Sequence, residues 1–226
     1  MGLTEFSQHN SSLEIRLNEE LKGLADHDLQ RKILTPESGQ DQKIVINGAS
    51  LLNLTSNNYL GLATDAQVIQ ASVEATEMYG TSVAASRLLV GSTPLHDQLE
   101  KRIAVLKNCS SALLYSAGYL ANIGVLSALP SAGDLICSDS LNHASIIDGT
   151  RLSRADTSIY RHLDLEHLEQ ILSNPKANQK FVVSETVFSM DGDLVDLPQL
   201  LSVSKKYGAV LIVDEAHAVG VFNKNN

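Results

Sequence analysis

Tryptophan is absent from the 226 residues, and phenylalanine and tyrosine together make up only 4%. Such a chain has little with which to build the aromatic platforms that stack single-stranded bases. Basic residues are also short: 17 Lys and Arg face 26 Asp and Glu, for a net charge of −9. That balance argues against nucleic acid or an anionic membrane as the main partner, because no excess is available to neutralise phosphates. It leaves small anionic ligands open, since these need only a few local donors. There are two cysteines, Cys109 and Cys137, with no CxxC spacing. This excludes a disulfide scaffold and leads us to expect two reduced, buried thiols. No stretch reaches the roughly eighteen uncharged apolar residues of a membrane span. The first residues, MGLTEFSQHNSS, lack the basic and apolar regions of a secretory signal. The expectation is a soluble, cytoplasmic protein.

Hydrophobic residues (43%) and charged residues (19%) are present in ordinary globular proportion. Leu13, Leu17, Leu21 and Leu24 recur at helical intervals and predict a first helix. Lys43–Ile46 and Ser50–Leu54 flank Asn47-Gly48, a pair that readily adopts the positive φ angles of a tight hairpin. The first 56 residues therefore read as an arm of helix and hairpin. A helix is expected from Asp65 to Tyr79, with Val68, Ile69, Ser72 and Ala75 on one face. Another begins at Thr93-Pro94 with the stripe Leu95, Leu99, Ile103, Leu106. Short apolar strands then alternate with helices: Ala112–Tyr115, Asp134–Cys137, Thr157–Tyr160, Phe181–Ser184 and Ala209–Val213 are the expected strands. This rhythm predicts an α/β fold, a mainly parallel sheet with helices on both faces. Ligands of such sheets sit outside the carboxyl ends of the strands.

The segments just after those strands are accordingly the candidates. Ser116-Ala117-Gly118-Tyr119 opens a helix with small residues, which suits a phosphate at the helix N-terminus. His143 follows Asp134–Cys137, and no residue at useful spacing makes it a metal ligand. A long polar loop, Glu185 to Asp193, follows Phe181–Ser184. Asp191 and Asp193 lack the downstream acid of a calcium loop. Asp214 follows the last apolar strand, where a carboxylate needs a cation or a protonated nitrogen to offset its desolvation. No G-x-x-x-x-G-K-[ST] occurs, which removes a Walker-type nucleotide site.

Taken together, Asn57–Leu62 (NNYLGL), Gly80–His96 (GTSVAASRLLVGSTPLH), Ser116–Asn122, Ser138–Gly149 (SDSLNHASIIDG), Glu185–Asp193 (ETVFSMDGD) and Val213–Gly220 (VDEAHAVG) resemble the α-oxoamine synthase family. The resemblance covers about 160 residues in six ordered motifs. It implies a pyridoxal 5'-phosphate (PLP) enzyme of fold-type I that condenses an amino acid with an acyl thioester and loses CO₂. It also implies an active site at the interface of a homodimer. By this resemblance residues 57–226 would form part of the PLP-binding large domain. Asp214 would pair with the pyridinium nitrogen, keeping the ring an electron acceptor. His143 would stack on the ring, and His217 and Ser189 would bond its phenolic oxygen. Gly118 and Tyr119 would lie at the phosphate and Asn57 near the substrate carboxylate, while Glu185 would orient a neighbouring histidine. Asp214, His143 and His217 are thus the candidate catalytic residues.

Two departures stand out. Where the family carries a Gly-rich run, this chain reads Ser82-Val83-Ala84-Ala85-Ser86-Arg87, which puts Ser86 at the substrate side with extra side chains around it. The family's lysine, to which PLP is joined, has no match among the ten lysines here, and Lys224 falls too early. The family's small C-terminal domain is likewise missing. The expectation is an N-terminal portion of a longer enzyme, inactive alone and incomplete at its C-terminus; a non-catalytic, lysine-less partner subunit is the alternative of another class. Within the family, ASRLLVGSTPLHDQLE and ETVFSMDGD look most like the branch that uses alanine and a pimeloyl thioester. LNHASIIDG is equally typical of the branch that uses glycine and acetyl-CoA. Ser86 stands where the 5-aminolevulinate-forming branch usually carries Thr.

Overall fold

The computed structural model describes residues 11–222 apart from Pro175. Lys224 lies outside the described residues. The chain divides into two compact units, Met1–Ser56 and Asn57–Asn226.

The first unit contains α1 (Ser11–Asp26) and a hairpin of β1 (Lys43–Ile46) and β2 (Ala49–Leu52). Asn47 and Gly48 adopt φ of 50° and 74°, the left-handed pair that a two-residue hairpin turn requires. Ile46 pairs with Ala49 across it.

The second unit carries the sheet. Asp65 starts α2 (Ala66–Tyr79), its carboxylate accepting from the main-chain N–H groups of Gln67 and Val68. Helix α3 is Pro94–Leu106. No side chain is buried on α2, and only Ala104 is buried on α3. The apolar stripes of both helices therefore lie open.

Next come α4 (Gly118–Ala128), β3 (Leu135–Asp139), α5 (Ala144–Leu152), β4 (Asp156–Tyr160), α6 (Leu165–Leu172), β5 (Lys180–Glu185), α7 (Leu197–Lys206) and β6 (Val210–Asp214). Strands β3 to β6 form one sheet in the order β4-β3-β5-β6, and every pair is parallel. The period of two along the strands divides their side chains between two cores. Leu135, Cys137 and Val182 pack with Leu168 and Leu172 of α6 and Leu200 of α7. Ile136, Phe181 and Val183 pack on the other face with Leu126 of α4 and Ile146 of α5. Helices cover both faces, as the alternating rhythm predicts. After β3 the chain moves out to β4, then crosses back to β5 on the opposite flank of β3. The strand order reverses there, and such a reversal opens a crevice at the carboxyl ends.

Two expectations are corrected. Ala112–Tyr115 is not a strand. Leu114 donates its main-chain N–H to Glu100 Oε1 (2.8 Å), and its C=O accepts from Arg87 Nη1 (3.1 Å). The Arg87–Glu100 ion pair (2.6 Å) thus takes the polar groups a neighbouring strand would have used. Nor are both thiols buried. Cys109 is exposed, while Cys137 lies fully inside the sheet, where desolvation pushes its thiol up to about 12.

Candidate functional site

Three strand ends and one helix start converge at the crevice. Asp214 is the last residue of β6. Its Oδ1 accepts from the main-chain N–H of Ala216 (2.8 Å), and its Oδ2 accepts from Asn122 Nδ2 (2.7 Å). Each carboxylate oxygen keeps a free lone pair, so the group can still receive a proton donor such as a protonated ring nitrogen. His143 caps α5: its Nδ1 lies 2.7 Å from Ser145 Oγ and accepts from the Ser145 main-chain N–H (3.2 Å). At φ −56° and ψ 149° His143 lies just outside the helix, with its Nδ1 folded over the first turn of α5.

Glu185 ends β5 and is almost wholly buried. Its Oε1 accepts from the main-chain N–H of His143 at 2.5 Å. Its contact with His143 is therefore to the backbone rather than to the ring. Burial is the largest influence on this carboxyl and raises it, with Asp214 adding to the rise and the His143 N–H opposing it.

Helix α4 begins at Gly118 with no side chain capping its first turn. A Cβ placed on Gly118 would meet nothing within 4 Å, so the surface beside the first residue of α4 is open. The Tyr119 ring stands edge-on to the His143 ring at 6.3 Å and 83°, and its hydroxyl donates to Asp148.

Beside this frame lies an open cavity of about 210 Å³, lined by Tyr59, Phe188, Ser189 and His217 among others. The Tyr59 hydroxyl is hydrogen-bonded to His217 Nδ1 at 2.7 Å and also reaches Asn57 Oδ1 at 3.3 Å. These contacts bring Asn57, Ser189 and His217 to one place. Ser86 is not joined to them: its C=O accepts from Leu89 and Gly91 in a local turn.

Several contributors escape a reading of the sequence. Asn122 and Ser145 lie inside matched motifs but look like ordinary helix residues. Gly118 and Asn122 are spaced i, i+4, which puts Asn122 on the helix face below the turn, and that was the available signal. His162 follows the carboxyl end of β4, where the strand-end rule would have found it. Its Nδ1 is 2.8 Å from Asp139 Oδ1 and its Nε2 is 2.6 Å from Asp193 Oδ2. Asp193 thus serves a histidine and ties the Ser189 loop to the sheet.

An uncapped helix start and a strand-end carboxylate thus lie together at the carboxyl ends of a parallel sheet. The model of the aminotransferase class I and II family matches residues 49–226, and the chain belongs to that family. Among curated relatives, the 8-amino-7-oxononanoate synthase of Lysinibacillus sphaericus is 44% identical over 211 residues, covering 93% of this chain and 54% of that protein. A putative 8-amino-7-oxononanoate synthase of Geobacillus kaustophilus is 47% identical, covering 87% of this chain and 50% of that protein. Among solved structures, the serine palmitoyltransferase of Sphingomonas wittichii superposes with a TM-score of 0.86 at 33% identity, covering 96% of this chain and 55% of that one. This chain spans about half the length of the curated relatives it matches.

Proposed function

We propose that this chain supplies the cofactor-cradling half of a PLP-dependent acyltransferase. That enzyme joins L-alanine to a pimeloyl thioester with loss of CO₂ and release of the free thiol, giving 8-amino-7-oxononanoate for biotin synthesis. The observation that carries the reading is the joining of Asp214 to the His143 cap through Asn122 and Ser145, beside an uncapped helix start. The relatives named as 8-amino-7-oxononanoate synthases support the substrate choice.

When bound, PLP supplies an electron-accepting ring that stabilises the charge left at the substrate's α-carbon. In this reading Asp214 holds the proton on the ring nitrogen, and His143 covers one ring face. Ser189 and His217 bond the phenolic oxygen, with Tyr59 fixing the His217 imidazole. The N–H groups of Gly118 and Tyr119 take the phosphate, Asn57 faces the amino-acid carboxylate, and Ser86 belongs to the substrate side. Glu185 fixes the main chain of His143. The reading includes a homodimer and a cytoplasmic location.

The test is steady-state assay of the full-length protein. Turnover with L-alanine and pimeloyl thioester, exceeding that with glycine and acetyl-CoA or with serine and palmitoyl-CoA, is the expected result. Activity confined to either of the other pairs overturns the substrate choice. Asp214→Asn is expected to lower kcat/KM by at least about a hundredfold, in line with removal of a charged group that acts on developing charge.

A further inference from the structure

The amide of Asn122 has one orientation open to it. Its outer atom faces Asp214 Oδ2 at 2.7 Å, and a carboxylate oxygen can only accept, so that atom is the nitrogen. Nδ2 carries two hydrogens. The second points to Ser145 Oγ at 2.9 Å. Ser145 is wholly buried, so its hydroxyl has no water to turn to. Having accepted from Asn122, it directs its own hydrogen to His143 Nδ1 at 2.7 Å. Nδ1 also receives the Ser145 main-chain N–H, which leaves the imidazole proton on Nε2. One amide therefore orders the donors along an unbroken line from Asp214 to His143.

We propose that Asn122 is a positioning residue that fixes the Asp214 carboxylate and aims it at the cofactor's ring nitrogen. The proposal rests on the PLP reading above. Without the Asn122 amide, Asp214 keeps, among the described residues, the Ala216 N–H on Oδ1 and is free to turn about its terminal torsion. The phosphate end of the site, at the start of α4, does not depend on this bond.

That separation gives the test. Equilibrium binding of PLP and of its 1-deaza analogue, which has a C–H in place of the ring nitrogen, is measured on the full-length protein by fluorescence quenching. Asn122→Ala is expected to weaken PLP by about tenfold, the size of one lost charge-assisted hydrogen bond. The same change is expected to leave the deaza analogue within about twofold, because that ligand makes no bond to Asp214. Asn122→Leu keeps much of the side-chain bulk and removes both amide hydrogens, and the same selective loss is expected. Equal weakening of both ligands in both variants shows a mere scaffold residue and overturns the proposal. A wild-type protein that binds neither ligand overturns the PLP reading itself. A second measurement is independent of the cofactor. In the unliganded protein the ¹⁵N resonance of His143 Nδ1 should lie at the unprotonated position, and a protonated Nδ1 overturns this order of donors even if PLP binds.

Discussion

His162 stands at the carboxyl end of β4 between Asp139 and Asp193, with the Phe188 ring edge-on at 4.4 Å. Desolvation lowers the affinity of this imidazole for its proton, but the two carboxylates outweigh it and hold the group above its ordinary value. Asp193 is correspondingly held low by His162. A raised histidine contributes stability that is complete below its unfolded value of about 6.5 and is lost as pH rises through its folded value. The lowered Asp193 contributes above the ordinary carboxylate range and loses its share as pH falls. The pair is therefore strongest in mildly acidic solution. His162→Gln is expected to cost on the order of 1 kcal/mol near pH 5.5 and less at pH 8.5. Urea midpoints of the two proteins at both pH values check this: a difference that grows with pH contradicts the assignment. The pattern of the sequence shows that polar residues follow strands, but only the packing shows which of them meet. Asp139 and Asp193 are 54 positions apart and share one ring.

Among the elements, α4 and α5 pack most closely at Gly149. A Cβ on Gly149 would stand 3.0 Å from the Leu126 side chain and 3.1 Å from the Asn122 carbonyl oxygen. Leu126 itself is 1% exposed and lies in the core beneath α5. Gly149→Val is expected to destabilise by about 1–3 kcal/mol through overpacking. Leu126→Ala is expected to cost about 2–5 kcal/mol through lost burial and a residual cavity. Thermal or urea unfolding measures both. Gly149→Val should in addition weaken ligand binding, because it pushes against the helix turn that carries Asn122. The helices and strands themselves were legible where periodicity and caps agreed: α2 begins after Asp65, α3 at Pro94, and β3 to β6 within two residues of their expected bounds. Ala112–Tyr115 has the apolar pattern of a strand but is not one, because an apolar run reports burial preference, whereas a strand needs a partner with free N–H and C=O groups. Arg87 and Glu100 had taken those groups instead.

For the whole molecule, stability is concentrated in the parallel sheet. Strands β3 and β5 each have a neighbour on both sides and are almost fully buried. The β1–β2 hairpin of the first unit is largely exposed, with Ile44 its one buried residue. Hydrogen exchange should reflect this: amides of β3 and β5 exchange slowest, those of β6 and β4 at the sheet edges faster, and those of the two-stranded hairpin fastest. Slow exchange throughout the hairpin would contradict the division. Leu88, Leu89 and Val90 stand open to solvent together with the stripes of α2 and α3. Periodicity marked those stripes as apolar faces, yet it carries no information on whether another surface covers them. The sequence by itself determined the alternation of strand and helix, the parallel sheet and the strand-end positions of His143, Asp214 and the Ser189 loop. These follow from local pattern and from the rule that ligands meet parallel strands at their carboxyl ends. Only the tertiary structure decided that Asn122 joins Asp214 to Ser145 and His143, that Tyr59 bonds His217, and that His162 bridges two acids. Those bonds link residues on different elements, and which donor meets which acceptor is fixed by how the helices pack on the sheet.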